Sequence, residues 1–246
     1  MTVAFVHGNP EVAAIWDPLR AELGRDDTVA LSPPGFGAPV PEGFGATRAD
    51  YAAWLATELE QLDQPVDLIG HDWGGGHVIG ASIARPDLVA RVVTDIAGCF
   101  DAAYSWHDMA QVWRTPGEGE AFVEAMASLP ADDRIATFEG LGMTREAAAA
   151  CADGSGPEMS RCILALYRSA DEATMAATGR AFADTPGHPE AHVIVATEDH
   201  YTGGEELARR TAEAWGARVH VLEGLGHWWM LQDPPRAAAV ISDILA

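Results

Sequence analysis

The sequence predicts an α/β fold: a doubly wound, mostly parallel sheet carrying an inserted helical cap. Three observations point there. Short apolar runs alternate with helix-spaced segments at both ends of the 246-residue chain. Each motif with chemical promise falls where such a run stops. Between them, residues 100–185 hold helical patterns and Gly/Pro breaks but few strand-like runs, too long a stretch to be a loop. The expected organisation is a core in two parts, residues 1–99 and 186–246, with a cap over 100–185.

Residues 2–6 read as a buried strand halted by His7-Gly8-Asn9-Pro10. Helical spacing follows over 13–23 and a strand over 27–31. Residues 32–45, rich in Pro and Gly, form a loop, and 47–62 an amphipathic helix with Ala52, Leu55, Leu59 and Leu62 on one face. A strand at 66–69, a turn at 70–74, a small-residue helix at 75–84 and a strand at 91–97 complete the first half. After the cap come a strand (192–196), a helix (204–215), a strand (218–222) and a closing helix (233–245). Strands alternating with helices imply ligand binding at the strands' C-terminal ends.

Composition narrows the function. A net charge of −22, from 37 acidic and 15 basic residues, argues against nucleic acid or an anionic membrane as partner; solubility explains it more simply. No apolar run approaches a membrane span, and residues 1–6 lack the basic start of a signal peptide. Cys99, Cys151 and Cys162 are widely spaced without a zinc pattern, so a cytoplasmic location with reduced thiols is expected. The nine histidines include no H-E-x-x-H; His71 and His77 read as neighbours of the turn at 70–74, and no metal or other cofactor is expected.

That turn, Gly70-His71-Asp72-Trp73-Gly74, is a G-x-D-x-G where many hydrolases have G-x-S-x-G. It marks a sharp strand-to-helix elbow that lifts a nucleophile, here a carboxylate. A carboxylate is suited to displacing a leaving group from saturated carbon and forming an ester. Two later turns match it. The strand 192–196 runs into Thr197-Glu198-Asp199-His200, and 218–222 into Gly224-Leu225-Gly226-His227. His227 is the expected general base and Asp199 its orienting acid. Asp95, near the end of the 91–97 strand, is the alternative acid. Nucleophile, acid, histidine is the chain order of α/β-hydrolases.

On these residues the chain resembles the α/β-hydrolase superfamily along nearly its whole length. More narrowly, His7-Gly8-Asn9-Pro10, Gly70-His71-Asp72-Trp73-Gly74 and Gly226-His227 look like the aspartate-nucleophile branch, which holds haloalkane dehalogenases and epoxide hydrolases. Those families usually carry further N-terminal strands before the His-Gly loop, whereas this chain starts at that strand. The resemblance implies a two-step mechanism without cofactor: an alkyl ester forms on Asp72, and water activated by His227 then hydrolyses it. The oxyanion would be met by backbone N–H groups of Trp73 and of the loop at Asn9.

The resemblance also frames the leaving group. Asn9 and Trp73 stand where haloalkane dehalogenases form a halide clamp, though Asn9 before Pro10 also suits a plain turn. An epoxide oxygen instead needs an acid, in that family usually two cap tyrosines; here Tyr104 and Tyr167 are the cap's tyrosines. The segment Val112-Trp113-Arg114-Thr115 looks more like a dehalogenase cap, while Tyr167-Arg168 looks more like an epoxide hydrolase. Trp113, with Trp106, either lines the pocket or fills the cap, and Trp228 and Trp229 read as packing. The expected partners are a small apolar organic substrate and water, in a monomer or homodimer. A haloalkane dehalogenase-like hydrolase is the first reading, an epoxide hydrolase the second. A catalytically silent ligand-binding protein is the third.

Overall fold

The computed structural model describes residues 1–246. Six strands form one parallel sheet: β1 (Val3–Val6), β2 (Thr28–Leu31), β3 (Val66–Gly70), β4 (Val89–Thr94), β5 (Glu190–Ala196) and β6 (Arg218–Leu222), in the order β2-β1-β3-β4-β5-β6. From β1 the chain moves to β2 on one side and then to β3 on the other. The crevice between the C-terminal ends of β1 and β3 is thus the switch point where α/β sheets bind ligands.

Alternation along the strands divides the apolar side chains between two faces. Val3, Phe5, Ile69, Val93 and Ile194 join one core, while Ala4, Val6, Leu68, Val92 and Val193 join the other. The first face is covered by α1 (Asp17–Leu23) and α12 (Pro234–Leu245), which pack on each other. The second is covered by α2 (Arg48–Leu59) and α3 (Trp73–Ala84). A capping box, Thr47 with Asp50, starts α2.

The strands and core helices stand close to where periodicity predicts them, with differences that have local causes. The 13–23 segment is a 3-10 turn over Ala13–Trp16 followed by α1, which Pro18 opens in its first turn. The expected 91–97 strand is β4, ending at Thr94, because Asp95 turns away from the ladder to bond elsewhere. The helix expected from residue 75 starts at Trp73, directly after the nucleophile position.

Between Phe100 and β5 lie α4 (Asp108–Arg114), α5 (Glu118–Ser128), α6 (Ala131–Gly140), α7 (Arg145–Gly154), α8 (Pro157–Arg168) and α9 (Glu172–Asp184). α4, α5 and α8 pack together, as do α6 and α7. α9 lies against α3 and against α10 (Gly204–Trp215), where the Trp215 indole donates to the Gly179 carbonyl at 2.8 Å. A short helix, α11 (Trp229–Gln232), follows His227. No helix is long and apolar enough to cross a membrane.

Candidate active site

Five loops at the C-terminal ends of β1, β3, β4, β5 and β6 converge. After β3 the chain turns so tightly that Asp72 takes φ 50° and ψ −130°, one of two non-glycine residues with positive φ. Such strain persists only where the surroundings hold it. Two glycines make the turn possible. A Cβ on Gly74 would strike the Val6 carbonyl, and one on Gly8 would land on the Asp72 carboxylate. The nucleophile position is thereby pressed against the β1 loop.

Asp72 Oδ1 accepts the Asn9 backbone N–H at 3.0 Å, so the loop after His7-Gly8 supplies the donor expected for an oxyanion. Its Oδ2 lies 3.7 Å from His227 Nε2, just beyond a hydrogen bond. The other ring nitrogen of His227 donates to Asp199 Oδ2 at 2.8 Å. Asp199 in turn accepts the Tyr201 N–H at 2.8 Å, which fixes the carboxylate. Burial pushes Asp72 up to about 6, against the attraction of His227. For His227, burial works downward, but Asp199 outweighs it and the ring sits above its ordinary value. Asp199 is held below the usual carboxylate range: burial opposes this, and His227 overcomes it.

Asp95, the alternative acid, makes no bond to His227. Its Oδ1 accepts the backbone N–H of Asp72 at 3.1 Å, and its Oδ2 accepts His71 Nδ1 at 2.5 Å and the Trp229 indole at 2.8 Å. His71 Nε2 reaches Glu11 Oε1 at 3.1 Å. Glu11 also takes the Gly8 N–H at 3.0 Å and the Trp228 indole at 2.6 Å. A histidine facing a carboxylate with each nitrogen is matched by the imidazolium form, which donates from both. Burial alone would discharge it, but Asp95 and Glu11 raise it well above its ordinary value. Glu11, which burial would raise, is pulled down to about 2 by that cation. The Glu11–His71–Asp95 chain ties the loop after β1, the Asp72 backbone and the loop after His227 into one buried network. Glu11, His71 and His227 are also grouped as metal ligands would be, but a doubly protonated His71 has no lone pair to give a cation.

Sequence reading missed Glu11; its only hint is an acid in an otherwise apolar stretch just after Asn9-Pro10. Trp228 and Trp229, expected to be packing, also donate to the network.

A cavity of about 200 Å³ opens above Asp72. Asn9, Trp113, Tyr167 and His227, all expected at the site, line it; Trp73 and Tyr104 do not. The Trp73 indole lies beneath Tyr167, edge-to-face at 5.3 Å, and stacks on Trp106 at 5.6 Å. Tyr104 spends its hydroxyl on the Tyr201 carbonyl at 2.8 Å, bracing the acid loop rather than meeting a substrate. Tyr167 lines the cavity over the Trp73 indole. Burial first, then Asp72, pushes the phenol upward, so it stays a proton donor.

Two further donors on the wall lack any acceptor: the Asn9 side-chain amide and the Trp113 indole N–H. Trp113 and Tyr167 have ring centroids 4.8 Å apart. His107 also lines the cavity; burial lowers it to about 4, so it is neutral, and its Nδ1 caps α4 by accepting the Ala110 N–H at 3.3 Å.

Comparison with known proteins agrees with this fold. The family model described as "Alpha/beta hydrolase family" matches residues 3–240. The chain belongs to the α/β hydrolase family. Among curated relatives, a haloalkane dehalogenase of Mesorhizobium japonicum is 29% identical over 133 residues, covering 50% of this chain and 42% of that protein. An (E)-2-((N-methylformamido)methylene)succinate hydrolase of Acinetobacter baylyi is 29% identical over 92 residues, covering 37% of this chain and 35% of that protein. The matched stretches thus span less than half of those relatives. Of solved structures, Cfl2 of Burkholderia cenocepacia superposes with a TM-score of 0.80 at 17% identity, covering 100% of this chain and 88% of that one. A haloalkane dehalogenase of Bradyrhizobium elkani gives 0.74 at 19% identity, covering 99% and 89%.

Proposed function

We propose that this α/β hydrolase uses Asp72 as a nucleophile towards saturated carbon and hydrolyses the resulting ester, with a halide as the leaving group. One observation carries the reading: a carboxylate stands at the elbow, in reach of an Asp199-backed His227, with one oxygen on the Asn9 N–H. Asp72 Oδ2 attacks carbon as the carbon–halogen bond breaks, and the halide leaves with the bonding pair. His227 then takes a proton from water, and the hydroxide adds to the Asp72 carbonyl carbon. The oxyanion forms on the oxygen that Asn9 N–H already holds. Collapse expels the alkoxide, which takes the proton held by His227 and leaves as the alcohol, and the restored Asp72 carboxyl gives its proton to solvent. Alkylation also removes the Asp72 charge that helps keep His227 protonated, so the base is freed when it is needed.

A halide needs N–H or O–H donors in a dry pocket, and the orphaned amide of Asn9, the Trp113 indole and the Tyr167 hydroxyl fit that need. The dehalogenases among the relatives support the same leaving group. Tyr167 favours a second reading: a protonated phenol beside Asp72 is also what an epoxide oxygen requires.

Mass spectrometry of His227→Ala protein after separate exposure to 1-bromohexane and styrene oxide tests both. Ester on Asp72 with bromide release supports the first, and ester from the epoxide alone supports the second. An unmodified Asp72 in both sinks the mechanism.

A further inference from the structure

The cap wall of the cavity carries a cation with no acidic partner. All fifteen basic residues are arginine. Ten of them meet an acidic partner, leaving Arg48, Arg134, Arg161, Arg180 and Arg236 without one. Of these five, Arg134 alone lines the cavity. In a chain of net charge −22, a guanidinium without an acid beside a mostly apolar chamber calls for an explanation.

Its hydrogen bonding is half complete. Arg134 Nη1 donates to the Leu129 carbonyl at 2.7 Å, which anchors the group. Nε is buried and has no acceptor. A buried donor left unpaired costs about 1–3 kcal/mol. Nε is closed off by its neighbours, which leaves Nη2, without a partner in the protein, as the donor that can meet a carboxylate. Nearby polar groups do not satisfy it: Thr137 and Ser155 give their hydroxyls to the Asp133 and Cys151 carbonyls of their own helices. Ser160, also on the wall, donates its backbone N–H to the Gly156 carbonyl at 2.9 Å. The cavity's acidic lining residue is Asp72, which makes no ion pair with Arg134.

We propose that Arg134 receives a carboxylate of the substrate, so that the natural substrates are halogenated carboxylic acids with an apolar chain between the two groups. This rests on the reading of Asp72 as nucleophile and refines it: Asp72 and His227 handle the carbon–halogen end, and Arg134 holds the other end. The carboxylate passes through the reaction unchanged, and the product is a hydroxy acid plus halide. Met109, Phe122, Met159 and Ile163 line the space for the chain between. Binding at a remote charge adds affinity in ground state and transition state alike, so it is read in KM.

The test has two arms, each on wild-type and Arg134→Gln protein. In the first, unreactive butyrate, hexanoate and octanoate are titrated while tryptophan emission is followed, since Trp113 and Trp228 line the cavity; hexanol is the uncharged control. At least one alkanoate should bind the wild type about tenfold or more tighter than hexanol, and the variant should lose that preference. Equal binding of alkanoates and hexanol by the wild type overturns the proposal without any variant. In the second arm, ω-bromoalkanoates of the same lengths are compared with 1-bromoalkanes. Arg134→Gln should raise KM for the acids about 10- to 100-fold with kcat little changed, and leave bromoalkanes unaffected. An equal effect on both overturns it. If no bromide is released from any substrate, the dehalogenase reading fails, while the alkanoate titration still decides the Arg134 site.

Discussion

Replacing Glu11 with Gln exchanges one carboxylate oxygen for an amide nitrogen at a side chain that accepts bonds from Gly8, His71 and Trp228. The new NH₂ must face an N–H donor, and His71 loses one of the two charges that keep it protonated. The magnitude follows from the ionisation of Glu11. Its carboxyl falls from 4.5 to about 2 on folding, and each pKa unit is worth about 1.4 kcal/mol. The contribution is therefore about 3 kcal/mol, the same order as the 3–5 kcal/mol typical of breaking a buried ion pair. Because the folded value is depressed, this stability is complete above pH 4.5 and drains away towards pH 2. Urea denaturation at pH 7 should show the variant about 3 kcal/mol less stable, with the gap shrinking to about half near pH 3. A loss under about 1 kcal/mol at pH 7, or a gap that stays constant with pH, would refute the charged-network reasoning.

Asp199→Asn should lower kcat by about 10²- to 10⁴-fold with the fold intact, since His227 would lose the acceptor that sets its tautomer; near-normal turnover would show that Asp95 serves instead. Tyr104→Phe should leave turnover within about twofold and cost about 1 kcal/mol of stability for the lost bond to Tyr201, whereas Tyr167→Phe should slow alkylation with every substrate. The reverse ranking in rapid-quench assays would mean the cavity wall is misassigned. Turnover should fall as pH drops through 7 to 6, because His227 must be neutral and Asp72 ionised. The alkylation limb should lie near pH 6. Single-turnover rates across pH 5–9 that show no acid limb would contradict both assignments.

The strands, the elbow and the Asp72–Asp199–His227 order were legible because each rests on a local rule. Apolar runs of strand length, a glycine-flanked turn and a Gly-x-Gly-His loop declare themselves within a few residues. The donors at the leaving group were less legible. Asn9 and Trp73 are near their expected places along the chain, but whether a side chain faces the cavity depends on what packs over it. Tyr167, from α8, covers the Trp73 indole, and no local pattern in either segment encodes that contact. The Tyr104 hydroxyl likewise meets a carbonyl 97 residues away, a contact no local pattern encodes.

By itself, then, the sequence determined a parallel α/β sheet with a carboxylate at its elbow and a histidine in the last loop, since periodicity and turn chemistry are properties of neighbouring residues. Only the tertiary structure decided which acid serves which histidine. Asp95 and Asp199 both follow strands that end at the same edge of the sheet, but β4 lies beside β3 and β5 beside β6. That strand order gives Asp95 to His71 and the Asp72 backbone N–H, and leaves Asp199 for His227. It also recruited Glu11, the two indoles after His227 and Arg134, because burial, charge pairing and unpaired donors are settled between segments far apart in the chain.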